Sequence, residues 1–362
     1  MSFLKPTSTF TRYRIDSEFP DDIWAQIPDL LRQFQFHSID TIPESSSSGW
    51  TTFDSPYDTE WKDETPYLAD RYVCFGMRRD VRRIPYEVLT KEVHQAIEQE
   101  KVKNADLGKN FISRDRKNEI REQVKLGLLN RIPPSPTYCQ VIWNWGKDEV
   151  WVSTNQATLL EIFEDLFART FGISLLVLDP YGMCDRLPQL CEMCESSVIG
   201  SDFLLWWWHR SDQGHRLVDD QGQLCSYEVA DSISLWNEQG YLSSTGVDAA
   251  LEGKIGVVSG KSVSSLRIKI YRDPEVYVFT LRASDMSFSS VKAPRVESTP
   301  ASDRDGMILE KIYLLEKMIA FVTKSFEEFV QVRMDEKIWA SLWKDFRIWS
   351  KTTLSLVGDI IN

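Results

Sequence analysis

Apolar residues recur along this chain with two periods, and the changes from one to the other predict its elements. Phe10 to Ile15 reads as a strand, and Asp21 to Phe36 as an amphipathic helix with Ile23, Trp24, Ile27, Leu30, Leu31 and Phe34 on its apolar positions. A Ser-rich loop, Ser45 to Ser48, leads into a strand at Gly49–Phe53, and Tyr72–Met77 makes a third. Pro85 suits the first turn of a helix reaching about Lys103. A second helix, Ser113 to Leu129, completes a helical hairpin that Pro133, Pro134 and Pro136 end abruptly. Tyr138–Ile142 and Glu149–Ser153 are apolar strands joined through Trp145–Asp148, followed by a helix at Asn155–Arg169 and a strand at Ser174–Leu178.

Beyond Tyr181 the periodicity is weak until Ser262–Leu281, where Leu266, Ile268 and Ile270 alternate and Val276–Leu281 pairs back on them. Ala293 to Gly306 mixes Pro, Ser, Thr and charge and reads as a loop. Ile308, Ile312, Leu315, Ile319, Val322, Phe326 and Phe329 then step by four and three, a stripe of about three heptads. Packing on its own domain is the favoured reading of that stripe over a coiled-coil dimer. A second short helix carries Trp339, Trp343 and Trp349. The order predicts an α+β fold, with mixed or antiparallel sheets, helices on one face and a protruding helical hairpin. Its segments are an N-terminal α+β part (1–77), the basic hairpin (78–136), and a sheet and helix returning to the first part (137–200). A β-rich base (201–292), a loop (293–306) and C-terminal helices (307–362) complete the chain.

Composition adds that 362 residues at 42% hydrophobic and 12% aromatic bury a large core. The longest apolar runs, Leu175–Leu178 and Phe203–Trp208, are far below membrane-spanning length, and no membrane partner is expected. Met1-Ser2-Phe3-Leu4-Lys5 lacks the hydrophobic core of a signal peptide. Six scattered cysteines make no disulfide framework, so reduced thiols in a cytoplasm are expected.

Charge changes the picture most. Between Arg78 and Arg131, fourteen Lys or Arg against nine Asp or Glu leave +5, whereas the chain as a whole carries −12. A cationic patch on an acidic body points to a polyanion. Within the second hairpin helix, which Ser113 can cap, Arg114, Lys117, Arg121 and Lys125 share one face. Ile120, Val124 and Leu128 form an adjoining stripe, and Asp115, Glu119 and Glu122 gather elsewhere. Stacked like charges repel, which favours a phosphate partner. A solvated face is the ordinary alternative, and spacing alone leaves both open.

Two rival chemistries are written in the chain. Cys191-x2-Cys194 precedes His209 and His215 at spacings that suit a tetrahedral zinc site, although buried thiols and a histidine beside an aromatic cluster explain them as well. Asp54, Asp58 and Glu60, or Asp179 and Asp185, could hold the metal ions of an exonuclease, or serve as acidic loops. Gly253-Lys254 and Gly260-Lys261 lack the preceding glycine of a P-loop, and no Gly-x-Ser-x-Gly elbow occurs. No cofactor and no catalytic centre are expected.

The order of these features resembles the recombination-associated RdgC family of bacteria. The residues that carry the resemblance are Tyr13-Arg14-Ile15, Gly49-Trp50, Arg83-Ile84-Pro85, Leu128-Leu129-Asn130-Arg131, Leu251-Glu252-Gly253-Lys254 and the strand pair ending at Leu281. It runs over most of residues 8–292 and the C-terminal helix. The resemblance implies a non-enzymatic, nucleoid-associated protein whose horseshoe-shaped subunit closes into a ring-like homodimer around duplex DNA. It further implies binding with little sequence preference and restraint of RecA-type recombinase filaments. By position it assigns DNA contact to Arg131, Lys254 and Gln239. The chain departs from the family at Glu238, where a lysine is expected, at Pro133, where the family has an aromatic, and in an extension from Trp339 to Asn362.

Overall fold

The computed structural model describes residues 2–18, 22–62, 66–69, 71–106, 111–184, 195–219, 221–294 and 303–361. The chain opens with β1 (Ser8–Ile15), α1 (Ile23–Gln33), β2 (Ser46–Thr52), β3 (Tyr67–Leu68) and β4 (Tyr72–Val81). A helical hairpin comes next, α2 (Tyr86–Asp106) and α3 (Arg114–Leu129), and then β5 (Ser135–Asn144), β6 (Glu149–Val152), α4 (Ala157–Phe171), β7 (Leu175–Val177) and α5 (Pro180–Met183). The second half holds α6 (Ser196–Asp212), β8 (Arg216–Val218), β9 (Leu224–Asn237), β10 (Gly240–Thr245) and α7 (Ala249–Val258). It ends with β11 (Ser262–Arg272), β12 (Glu275–Arg282), β13 (Phe288–Lys292), α8 (Arg304–Met334) and α9 (Glu336–Ile361).

The fold is α+β, built on one open antiparallel sheet whose main path runs β10-β9-β11-β12-β13-β1-β6-β5-β4-β2. β1 joins its halves. Ser8 and Phe10 pair with Val291 and Phe288 of β13, and Thr11 to Arg14 pair with Val152 to Glu149 of β6. Alternation along β1 sends Phe10 into one core and Tyr13 into the other. The Tyr13 core lies under α1 and α4 and takes Val73, Phe75, Val141, Trp143 and Val150. The Phe10 core lies under α6 and α8 and takes Ile268, Phe279 and Phe288.

The helices therefore cover opposite faces of the sheet where a single covered face is expected from their order. The physical reason is in β4, β5 and β6. Cys74, Ile142 and Trp151, on the reverse side from Val73, Val141 and Val150, are also buried, so this half has no face for water. The heptad stripe of α8 is buried within the subunit, and Glu316 in the middle of α8 accepts from Asn144 Nδ2 of β5 at 2.7 Å. α9 is a long helix of 26 residues, where the sequence suggests a short one. No helix among the described residues is long and apolar enough to cross a membrane.

The weakly patterned stretch after Tyr181 contains α6, which buries Phe203 through Trp208. A helix apolar on every side has no amphipathic signature to read. Across α6, Asp202 accepts from Arg333 Nε of α8 at 3.1 Å. Burial lifts the Asp202 carboxyl from 3.8 to about 6, with Arg333 acting in the opposite sense. The folded chain thus holds this proton more tightly than the unfolded chain. Its contribution to stability is complete below the unfolded value and is lost as pH rises through about 6. Thermal midpoints measured from about pH 4 to about pH 7 should show this loss, and Asp202→Asn should remove it. A profile identical in wild type and variant would contradict the burial of a titrating carboxylate here.

Candidate nucleic-acid interface

The second arm of the hairpin, α3, has a local start and a buried inner stripe. Ser113 Oγ accepts the Arg116 backbone N–H at 3.2 Å, and Asp115 lies in the first turn, where the positive end of the helix dipole favours an acid. Ile120, Leu128 and Leu129 of α3 are buried, while Arg114, Lys117, Arg121 and Lys125 are exposed along α3.

Tertiary contacts sort the cations of the basic stretch into structural and available ones. Arg78 makes two 2.7 Å hydrogen bonds to the buried Asp80 carboxylate and lies 4.4 Å from the Phe36 ring centre. Arg82 is buried and donates to the carbonyls of Ile132, Asp40, Glu44 and Ile42. Arg116 bridges the hairpin, donating to Glu100 of α2 and Glu119 of α3 at 2.8 Å each. Those bonds hold the Glu100 carboxyl below its usual range. Lys101 is 2.7 Å from Glu98 and Lys125 is 3.8 Å from Glu122. Arg114, Lys117 and Arg121, with Arg83 and Arg131 at the hairpin roots, are exposed and have no carboxylate of the described residues within ion-pair distance.

The hairpin also keeps apolar side chains in water. Tyr86, Val102 and Phe111 are 69%, 64% and 77% exposed, and Val102 and Phe111 lie towards its tip. Val102 and Phe111 are thus the apolar residues available at the tip for a contact, while Tyr86 lies at the root.

Gln239 and Lys254 lie apart from the hairpin. The hairpin springs from β4 and β5, near one end of the sheet, whereas Gln239 is exposed in the β9–β10 turn at the other end. Lys254 of α7 is 2.6 Å from Asp212 and 4.6 Å from the Trp349 ring centre, so α9 covers it and its charge is answered within the subunit. Glu238 is exposed beside Gln239. Trp236 and Tyr241, directly opposite each other on β9 and β10, are 55% and 63% exposed. Sequence reasoning missed this pair because β9 loses its alternation around Val229–Asp231, near a shift in register with β11.

The rival constellations take structural roles where they are described. Asp54 is 2.6 Å from Arg304, Asp58 accepts from Thr52 and from the Glu60 backbone, and Asp179 caps α5 through the Gly182 N–H at 2.7 Å. His209 packs edge-on against Phe346 and Trp349, and His215 meets the Arg210 guanidinium. Burial lowers both histidines, and the neighbouring Arg210 lowers His215 further. Cys191, Cys194 and Asp185 lie outside the described residues. Among the described residues no three His, Cys, Asp or Glu gather as a metal site. No protein-family model and no curated protein matches the chain.

Proposed function

We propose that this protein binds duplex DNA without sequence preference, as a homodimer closed around the duplex in the manner of the RdgC family, and restrains RecA-type recombinase filaments. The observation that carries this reading is the row Arg114, Lys117 and Arg121. These cations remain exposed while Lys101, Arg116 and Lys125 of the same hairpin are engaged in its own ion pairs. A row without internal counterions is suited to phosphates, which position a protein on DNA without reading its sequence. Arg131 and Arg83 extend the row to the hairpin root, and Gln239 would meet the duplex from the far end of the sheet in a horseshoe-shaped subunit. Lys254 contributes to that surface only if α9 moves, since Asp212 and Trp349 hold it.

The exposed apolar tip supports self-association, because a two-fold axis lets Phe111 and Val102 of two copies cover each other. Sedimentation at micromolar concentration should give a dimer, and Phe111→Asp should weaken it. A ring must thread over an end or open a contact, so loading on linear and on covalently closed DNA should differ in rate more than in affinity. A monomeric wild type, or identical loading rates, would remove the ring.

A further inference from the structure

A cavity of about 430 Å3 lies where β1 and β6 meet the α5 turn and α8. Its volume is that of a small-molecule site and admits no duplex, so an occupant here is independent of the hairpin. Alternation along β1 puts Arg12 and Arg14 on one face, opposite Trp151 and Glu149 of β6. Leu178, Met183, Phe326 and Val330 give the cavity an apolar stretch, beside Thr323, Glu327 and Gln331 of α8.

Arg12 is 4% exposed and poorly matched. Its Nε has no hydrogen-bond partner among the described residues. Among the described residues Nη2 has only the Met183 thioether as a hydrogen-bond partner, at 3.8 Å, Nη1 stands 4.0 Å from Glu149, and the guanidinium carbon lies 5.6 Å from the Phe288 ring centre. That carboxylate also accepts the Trp151 indole N–H at 3.0 Å. Burial pushes Arg12 below its ordinary value and Glu149 opposes this only in part. A buried guanidinium with unused donors is unfavourable unless an anion completes its set, and its planar fork matches carboxylate and phosphate oxygens. The cavity is also lined by Lys147 and Glu327, and Lys147 is 3.3 Å from Glu316.

We propose that this cavity binds a small organic anion, its carboxylate or phosphate on Arg12 beside Arg14 and its apolar body against Met183, Leu178, Phe326 and Val330. The test uses the full chain with 13C-methyl methionine, titrated separately with phenyl phosphate, benzoate and inorganic phosphate. The Met183 methyl resonance, assigned through Met183→Leu, should shift saturably with phenyl phosphate or benzoate. Inorganic phosphate, which lacks the apolar body, should bind at least about tenfold more weakly. Arg12→Met should lower affinity by about tenfold or more. Because Arg12 is buried and its variant could misfold, Glu327→Gln at an exposed position gives a second readout, and it should tighten binding by removing a repelling charge. Absence of a saturable Met183 shift with all three probes would overturn the proposal. So would affinities unchanged in Arg12→Met and Glu327→Gln. Inorganic phosphate binding as well as the aromatic probes would overturn the apolar half of the site.

Discussion

Replacing Arg114, Lys117 and Arg121 together by glutamine will lower duplex-DNA affinity at moderate salt by about a thousandfold and flatten its salt dependence. The magnitude follows from counterion release, with a log–log slope near −0.9 for each phosphate neutralised. Three cations in each of two copies then account for a slope of about −5. Fluorescence anisotropy on two unrelated duplexes, at two or more salt concentrations, measures both quantities. Arg116→Gln is the control. Its guanidinium is already engaged by Glu100 and Glu119, so this variant should loosen the hairpin and leave the slope nearly unchanged. A triple variant that keeps the wild-type slope would mean that the row is a solvated face. Binding that differs strongly between the two duplexes would contradict sequence independence.

Arg82→Met will destabilise the fold by about 3 kcal/mol, because hydrogen bonds from a charged donor count for more than neutral ones and buried carbonyls left without donors are costly. One guanidinium ties three separate stretches together. It reaches the Ile132 carbonyl at 2.8 Å, beyond the end of α3, and the carbonyls of Asp40 at 3.0 Å and Glu44 at 3.2 Å, with Ile42 as a further acceptor. Arg82→Lys should rescue little, since one ammonium cannot span acceptors that a planar fork reaches together. Urea unfolding measures the loss, and limited proteolysis should find the new weak points near residues 40–44 and 130–134. A variant of unchanged stability with a reduced DNA salt slope would instead make Arg82 a phosphate contact.

The two variants separate residues that look alike in the chain. Arg82 and Arg114 both belong to one basic stretch, and nothing local distinguishes their roles. Much of the architecture was nonetheless legible. The expected helix from Ser113 corresponds to α3 with Ser113 as its cap, and the paired strands around Leu266 and Leu281 are β11 and β12 in antiparallel register. Both rest on interactions within a few residues or across a short turn, which periodicity and capping report directly. The stretch from α6 to α7 was not legible. There Phe203–Trp208 is buried on all sides and β9 breaks its alternation, so neither period rises above the background.

The candidate interface divides in the same way. The sequence by itself determined that positive charge concentrates on one hairpin and that Arg114, Lys117, Arg121 and Lys125 align along one helix, because a helix of 3.6 residues per turn leaves no other arrangement. Only the tertiary structure decided which cations remain available. Glu100, sixteen residues before Arg116, returns on the antiparallel partner helix and captures it. Asp80 takes Arg78, backbone carbonyls from two distant stretches take Arg82, and α9 brings Trp349 over Lys254 while Asp212 of α6 pairs with it. The reason is range: a side chain's position on its own helix follows from local geometry, whereas its counterion is chosen by whatever the packed core carries alongside it.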